Sequence, residues 1–556
     1  MKPQATINIL STTLLFFLLA NGLCAENKYS RPNIVLIMSD DMGFSDIGCY
    51  GGEIQTPNLD ALAAKGLRFS QFYNTARCCP TRAALLSGLY QHQAGIGLMT
   101  GDKKLPGYRG EFGRNVMTIA EAMSTSGYRN YMSGKWHVSR HTDPDGPKHS
   151  WPCQRGFDQF YGIITGAANY WKPNTLTRDN DPITHDQLPE EYFLTDAISD
   201  EAVKFIGNHA ESTPDQPFFT YVAYTSPHWP LHAHEEDIAR YKDQFASGWD
   251  QLRQERLQRM KEMGLVKECG SLSDRDPSQP PWDEVEHKEW NQRRMEVYAA
   301  QIERMDRGIG RIIQVLEHSK QLENTLILFL ADNGGCAEEL RPPAKMESSW
   351  PVWGGPTTRD GRPVQRGNDP NIMPGPETTY QSYGVPWANL SNTPFREYKH
   401  WVHEGGIATP LIVHWPNYVK TGGELRHQSG QLPDIMSTCL EVAETEYPDN
   451  YNGNPILAME GTSLVPIFND HNGDNKVLYW EHEGNRAVRC GKWKIVTKYP
   501  GPWELYNMEE DRTELNDLSA DHPDLVKKLS CLYQDWSDRC CVQPWDQILE
   551  TRQEKK

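Results

Sequence analysis

The chain has 556 residues, enough for one large domain with a smaller appendage or for two domains. With 38% hydrophobic and 23% charged residues it has the composition of a globular protein, and 44 Gly and 38 Pro make it loop-rich. Lys and Arg number 56 against 74 Asp and Glu. The net charge of −18 excludes a general nucleic-acid binder and admits an anionic ligand only where positive charge is gathered locally.

Residues 1–25 read as a secretory signal peptide. Lys2 charges its start, 7–19 is largely apolar, and the small residues Ala20, Gly22 and Ala25 follow. The apolar run is short for a membrane span and no later stretch approaches that length. The expected location is periplasmic or secreted, with no membrane attachment after cleavage. Cys24 lies in the signal; eleven cysteines follow it without a CxxC pair, which argues against a zinc ribbon or a thioredoxin-like site. Disulfides are permitted in that compartment, but spacing dictates no pairing.

Residues 33–38 read as a buried strand, apolar without alternation from Ile34 onward, and deliver Ser39-Asp40-Asp41. The carboxyl ends of such strands are where open α/β sheets bind ligands. A helix is predicted at 56–66, with Thr56 as cap, Pro57 in its first turn and Gly66 after its end. A strand over 67–73 leads to Cys78-Cys79-Pro80-Thr81-Arg82. The cysteines sit at or just before the start of a short helix ending at Gly88, where backbone N–H groups favour an anion and depress a thiol pKa.

A helix at 116–124 and a strand at 128–132 lead to Gly134-Lys135-Trp136-His137. An amphipathic helix at 196–206 precedes a strand at 218–224, which delivers Pro227-His228-Trp229. Residues 235–290 are polar, helical in places and peripheral. A strong helix over 298–316 presents Ile302, Met305, Ile309, Ile312, Ile313 and Leu316 on one face. A second all-apolar strand, 325–330, ends in Ala331-Asp332-Asn333-Gly334. Residues 340–390, rich in Pro, Gly and Trp, read as a long functional loop. A further strand is expected at 410–415. Beyond about 440 the alternation gives way to short strands at 477–480, 487–489 and 493–497 and a helix at 525–536. The predicted fold class is α/β: a large mostly parallel sheet sandwiched by helices (26–440), plus a smaller C-terminal α+β subdomain with a short antiparallel sheet (441–556).

Asp40, Asp41, Asp332 and Asn333 offer oxygen ligands at strand ends, which suits Ca²⁺ or Mg²⁺ better than zinc; each pair alone also reads as a turn. Arg82, Lys135, His137, His228 and Lys399 each adjoin a Pro, a Gly or a strand end. Singly they read as surface charges or satisfied imidazoles, and together as a local cationic pocket in an acidic chain. Cys78 and Cys79 read equally as disulfide partners or buried thiols.

Cys78-Cys79-Pro80-Thr81-Arg82 resembles the Cys-x-Pro-x-Arg signature of the type I sulfatases, arylsulfatase-like members of the alkaline phosphatase superfamily. The resemblance runs over nearly the whole mature chain. Asn33 to Asp41, Thr56-Pro57-Asn58-Leu59-Asp60, Gly134-Lys135-Trp136-His137, Pro227-His228, Ala331-Asp332-Asn333-Gly334, and Lys399 with Glu404-Gly405-Gly406 match the family's blocks in the family's order. The resemblance implies the fold named above and hydrolysis of a sulfate ester to alcohol and inorganic sulfate. It implies that a separate maturation enzyme converts Cys78 to Cα-formylglycine. Asp40, Asp41, Asp332 and Asn333 would hold Ca²⁺, with Mg²⁺ the second choice, beside residue 78, itself a ligand. Arg82 would polarise that residue, and Lys135 and Lys399 would contact sulfate.

The implied chemistry uses the aldehyde hydrate. One hydroxyl attacks sulfur, its proton passing to Asp332, and His228 with Lys399 protonates the departing alcohol. His137 then takes the second hydroxyl's proton, and sulfate leaves as the aldehyde reforms. Two departures from the family pattern are Ser139, where glycine is frequent, and Ile407-Ala408-Thr409, where many members carry an arginine. No role of that arginine is carried over.

Export, 17 Trp, 24 Tyr and 16 Phe, and the Trp-containing loop point to a carbohydrate sulfate, although most aromatics belong to cores. Trp229, Trp350, Trp353, Trp387, Trp401, His403, Trp480, His482 and Arg486 are the candidate pocket rim. Two other readings remain open. One is a phosphodiesterase or phosphonate monoester hydrolase of the same superfamily. The other is a calcium-dependent glycan-binding protein whose cysteine is never oxidised.

Overall fold

The computed structural model describes residues 31–341, 354–469 and 476–553. The proposed signal segment, Trp350 and Trp353 lie outside the described residues. The strands of the large sheet are β1 (Asn33–Ser39), β2 (Leu67–Tyr73), β3 (Arg129–Lys135), β4 (Gln159–Ile163), β5 (Leu176–Arg178), β6 (Asp181–Pro182), β7 (Phe218–Ala223) and β8 (Thr325–Ala331). Past a two-residue pair, β9 (Gln365–Arg366) with β10 (Thr379–Tyr380), the sheet gains β11 (Ala408–His414), β12 (Glu424–Arg426) and β13 (Gly430–Gln431). Its order is β12-β2-β11-β8-β1-β7-β3-β4-β5-β6, with β13 also on β2. The centre, β8-β1-β7-β3-β4, is parallel, and β11 runs antiparallel to both its neighbours.

Helices on both faces explain why β1 and β8 are apolar through their middles, from Ile34 to Met38 and from Leu326 to Ala331. Val35 and Ile37 of β1 face one core with the helices Leu194–Ser212 and Lys288–His318. Ile34, Leu36 and Met38 face the other, with the helices Cys78–Ser87, Ile119–Thr125 and Pro433–Val442. Register then places the site. Ser39 pairs with Ala331, Met38 with Ala223, and Gly134 with Ala223. The segments leaving β1, β3, β7 and β8 therefore emerge at one edge.

After a short hairpin, β14 (Asn450–Tyr451) with β15 (Asn454–Pro455), four antiparallel strands follow: β16 (Val477–His482), β17 (Asn485–Cys490), β18 (Trp493–Thr497) and β19 (Glu504–Asn507). Leu478, Trp480, Ala487 and Val496 join the core of the large sheet. Val488, Ile495 and Leu505 pack with Leu529, Tyr533 and Trp536, on the helix Pro523–Arg539.

Three local details differ from the sequence reading. Thr56 precedes the helix Pro57–Lys65, but its hydroxyl accepts from Gly48 N–H and does not cap the helix. The helix expected from 116 begins at Ile119, where Thr118 and Glu121 form a reciprocal cap. The strands β4, β5, β6, β12, β13 and β19 were not expected; most are too short for a periodic pattern to show. All eleven described cysteines are free thiols. Among the described residues, no helix is long and apolar enough to cross a membrane.

Candidate active site

Cys78 and Cys79 open the helix Cys78–Ser87, preceded by Arg77 in extended conformation, and every residue of that helix is buried. Cys78 faces the sheet edge where the four strand ends converge. Lys135 Nζ lies 2.6 Å from Asp40 Oδ2, and Arg82 Nη2 lies 2.7 Å from Asp332 Oδ2 and 3.7 Å from Asp40 Oδ1. Lys399 Nζ donates to both oxygens of Asp41, at 2.7 and 2.9 Å. Asn333 Nδ2 donates to Asp41 Oδ1 at 2.7 Å, and Asp41 N–H donates to Asp332 Oδ1 at 3.1 Å. His228 Nε2 is 3.4 Å from Asp41 Oδ2, and its other nitrogen, Nδ1, donates to Trp229 O at 2.6 Å.

The backbone bends sharply to achieve this. Asp41, Ala76, His137, Glu397 and His400 all have positive φ (64°, 62°, 54°, 66° and 94°), an unusual concentration for non-glycine residues. Gly166 lets the chain lie against His137: a Cβ there would come within 2.3 Å of the imidazole ring. Gly334 does the same against Gly405 O, at 1.9 Å.

The electrostatics follow from burial among mixed charges. Burial, with the charge of Asp40, lifts Asp332 to about 7, and burial also raises Asp40. Burial acts the same way on Asp41, but His228 and Lys399 outweigh it and hold that carboxyl well below the usual range. Burial pushes both His137 and His228 down to about 4. The hydrogen bond with Cys79 draws the Cys78 thiol well below its ordinary value; burial opposes this, and Lys135, His137 and Lys399 reinforce it. Burial drives Cys79 well above.

Two carboxyl-side oxygens, Asp40 Oδ1 and Asn333 Oδ1, are buried without a hydrogen-bond partner. They belong to the oxygen-only set Asp40, Asp41, Asp332 and Asn333, whose donor chemistry fits a hard divalent cation. Asp40, Asp41 and His228 each present a ligand atom within 4.8 Å of the others.

Above this floor lies a cavity of about 650 Å³ onto which Cys78, His137, His228, Lys399, Trp229 and Ser139 open. Arg82, Lys135 and Asp332 are fully buried beneath it. The proposed rim needs correction. His403 is fully buried, with Nε2 3.4 Å from Glu504, and His482 is buried with its ring 5.5 Å from that of His400. Arg486 stacks on Trp503 and Tyr533 and lines a different cavity in the C-terminal region. Trp387 and Trp480 are core residues, their indole N–H groups donating to Asn291 O and Asn74 O. Trp401 lines a cavity beside the catalytic one. Sequence reasoning missed Arg77 and Glu338, an ion pair at 2.9 Å on the cavity wall. Arg77 adjoins the cysteine motif, but the pairing spans 261 residues and left no local signal.

Comparisons with known proteins agree with this geometry. The family model described as Sulfatase matches residues 32–445. A second, described as N-sulphoglucosamine sulphohydrolase, C-terminal, matches residues 396–534. An uncharacterized sulfatase of Schizosaccharomyces pombe is 32% identical over 540 residues, covering 91% of this chain and 93% of that protein. An arylsulfatase of Klebsiella aerogenes is 31% identical over 473 residues, covering 81% and 94%. Among solved structures, Ps i-CgsB in complex with k-i-k-neocarrahexaose superposes with a TM-score of 0.63 at 25% identity, over 91% of this chain and 93% of that one.

Proposed function

The chain belongs to the sulfatase family and is a sulfuric ester hydrolase, and from that premise we propose that it removes sulfate from a carbohydrate, with Cys78 matured to formylglycine and a divalent cation, Ca²⁺ before Mg²⁺, at its side. The observation that carries this reading is Cys78 at the foot of a cavity whose lining includes Arg77, Arg140, Arg366 and Lys399 against only Glu338 and Glu339. This is the local excess of positive charge that an acidic chain needs to hold an anionic ester.

Asp40, Asp41, Asp332 and Asn333 would hold the cation, which supplies Lewis-acid stabilisation of charge on the sulfate oxygens. Formylglycine supplies, as its hydrate, a hydroxyl nucleophile at residue 78. The chain's own groups do the rest. Arg82, fixed by Asp332, Lys135 O and Tyr221 Oη, keeps the Asp332 carboxyl in place under residue 78. Lys135 and Lys399, now neutralising Asp40 and Asp41, are the ammonium groups within reach of an anion bound above those carboxylates. His137 opens onto the same cavity as Cys78, which places it to accept a proton from a group at that position. His228 carries its proton on Nδ1, toward Trp229 O; a second proton on Nε2 would be favoured by the negative charge of a bound ester, and that proton is available to the departing alcohol.

Export remains part of the proposal and rests on the residue pattern of 1–25. The test is a kcat/KM comparison on matched sulfate and phosphate esters, using protein matured alongside a formylglycine-generating enzyme. Sulfate esters are expected to be preferred; a clear phosphate preference would overturn the reading. Mass spectrometry of the Cys78 peptide checks maturation independently.

A further inference from the structure

The catalytic cavity has a neighbour. A second cavity, of about 970 Å³, lies against it, and the two share Arg77, Glu338 and Lys399. Lys399 points to the catalytic floor, with Nζ on Asp41. Arg77 and Glu338 pair at 2.9 Å, and the second oxygen of Glu338 accepts from Trp229 Nε1 at 2.9 Å. Because each of the two residues lines both spaces, this pair is the partition between them.

The two spaces differ in charge. Cations outnumber carboxylates four to two along the catalytic cavity, whereas its neighbour is lined by six carboxylates and five cationic side chains. Several of these charges are already paired: Lys498 with Glu397 within the wall, and Arg396 and Arg275 with Glu504 and Asp250 outside it. No surplus positive field is left there for a second sulfate or a uronate. The wall offers planar carboxylates and ion-paired guanidinium groups, suited to hydroxyls, beside the half-buried indole of Trp401. Lys498 Nζ lies 4.8 Å from the Trp401 ring centroid, on a flexible stem that can swing from the ring to a hydroxyl. The volume falls within the range of cavities that enclose organic ligands.

The backbone ties this wall to the chemistry. Glu397 and His400, at φ 66° and 94°, bracket Lys399, and His400 N–H donates at 2.8 Å to the carbonyl of Ala76, two residues before Cys78. Non-glycine residues in this region cost free energy, and they persist at ligand clamps where the surroundings hold them.

We propose that the neighbouring cavity is a second saccharide subsite, seating an uncharged sugar unit next to the sulfated one, with Arg77 and Glu338 as the specificity-determining pair between the two. The inference rests on the sulfatase reading and narrows its substrate class to oligosaccharides in which the sulfated unit has a neutral neighbour.

The test measures kcat/KM for sulfate release on galactose 4-sulfate, galactose 6-sulfate and N-acetylglucosamine 6-sulfate. Each is offered free, as a disaccharide with neutral galactose, and as a disaccharide with glucuronate. For at least one sulfated unit, the galactose disaccharide is expected to exceed the free sugar by about tenfold, with the glucuronate disaccharide at or below the free sugar. Trp401→Ala should lower the ratio of disaccharide to monosaccharide, and Trp401→Phe, which keeps an aromatic face, should restore most of it. Equal values for free and linked sugars, a preference for the glucuronate neighbour, or an equal loss on both substrate sizes in Trp401→Ala overturns the subsite. No sulfate release from any of them, by protein carrying verified formylglycine, overturns the carbohydrate-sulfatase reading itself, and the subsite with it.

Discussion

Glu404 is a carboxylate with no exposed surface, and replacing it should loosen the joint between the two sheets. Its oxygens accept from Lys494 Nζ at 2.9 Å, Arg512 Nε at 3.1 Å and Tyr73 Oη at 3.1 Å. Lys494 is equally buried and reaches Glu514 at 2.7 Å, and Glu514 in turn accepts from Glu404 N–H at 2.9 Å. In Glu404→Ala one negative charge leaves and two cations lose a partner, Arg512 most severely. Breaking a buried pair in this way costs about 3–5 kcal/mol. The titration of Glu404 points to the same size. Burial opposes ionisation, but Lys494 and Arg512 overcome it and hold the carboxyl at about 2 instead of 4.5. At 1.36 kcal/mol per unit this amounts to about 3 kcal/mol, counted once for the whole cluster. Because the folded value lies below the ordinary one, this stabilisation is fully present above about pH 4.5 and is lost as pH falls through about 2.

The assay is hydrogen–deuterium exchange by mass spectrometry on peptides covering Trp493–Thr497 and Ala408–His414. Exchange in Glu404→Ala should rise between about one hundred and a few thousandfold, the equivalent of about 3–5 kcal/mol. The double replacement Glu404→Leu with Lys494→Met should recover only part of the protection, since it removes one charge pair but leaves Arg512 and Glu514 without the partners they have in the wild type. Protection within about threefold of wild type in Glu404→Ala would refute the reasoning, because the cations would then have found water or another partner at little cost.

Other outcomes follow from the site. Cys78→Ala should abolish sulfate release while Cys79→Ala retains most of it, since Cys79 does not line the cavity and its thiol donates to Leu98 O and Met99 Sδ; an equal loss in both would shift the reactive position. Added Ca²⁺ should raise the thermal midpoint of the metal-stripped protein, by an amount corresponding to about 2.7 kcal/mol at one hundred times Kd, and Asp40→Asn should blunt that rise. The same rise in Asp40→Asn as in wild type would move the cation elsewhere. Gly166→Ala should cut kcat at least about tenfold, with a smaller effect on KM, because the new Cβ falls on the His137 ring; wild-type kcat would show that the ring is free to move.

The parts of the molecule that could be read in advance are those whose cause is local. Strands β1 and β8 are apolar without a break from Ile34 to Met38 and from Leu326 to Ala331 because helices cover both faces, and that pattern marks a parallel sheet and its carboxyl edge. Asp40, Asp41, Asp332 and Asn333 were legible because they end such strands. The rim residues failed for the opposite reason. His403 is buried by its contact with Glu504, 101 residues away, and Arg486 is held by Trp503 and Tyr533 inside the C-terminal region. Nothing next to either residue marks these partners. Glu338 was missed because it acts through Arg77 and Trp229, which come from other strands' ends. The strain at His137 and His400 was equally hidden, since neither residue type announces a left-handed backbone.

The helix Cys78–Ser87 has no exposed residue, and Cys78 itself keeps only 2% of its surface. A small ester reaches its side chain through the cavity, but a second protein's active site, which must grip the backbone on either side, cannot. Any enzymatic conversion of Cys78 thus has to occur while this segment is still an extended chain. On the proposed maturation of Cys78, folding would then work as a deadline: molecules that bury the helix first would stay thiols, so the active fraction of a preparation would reflect a race between two rates and not the stability of the finished fold.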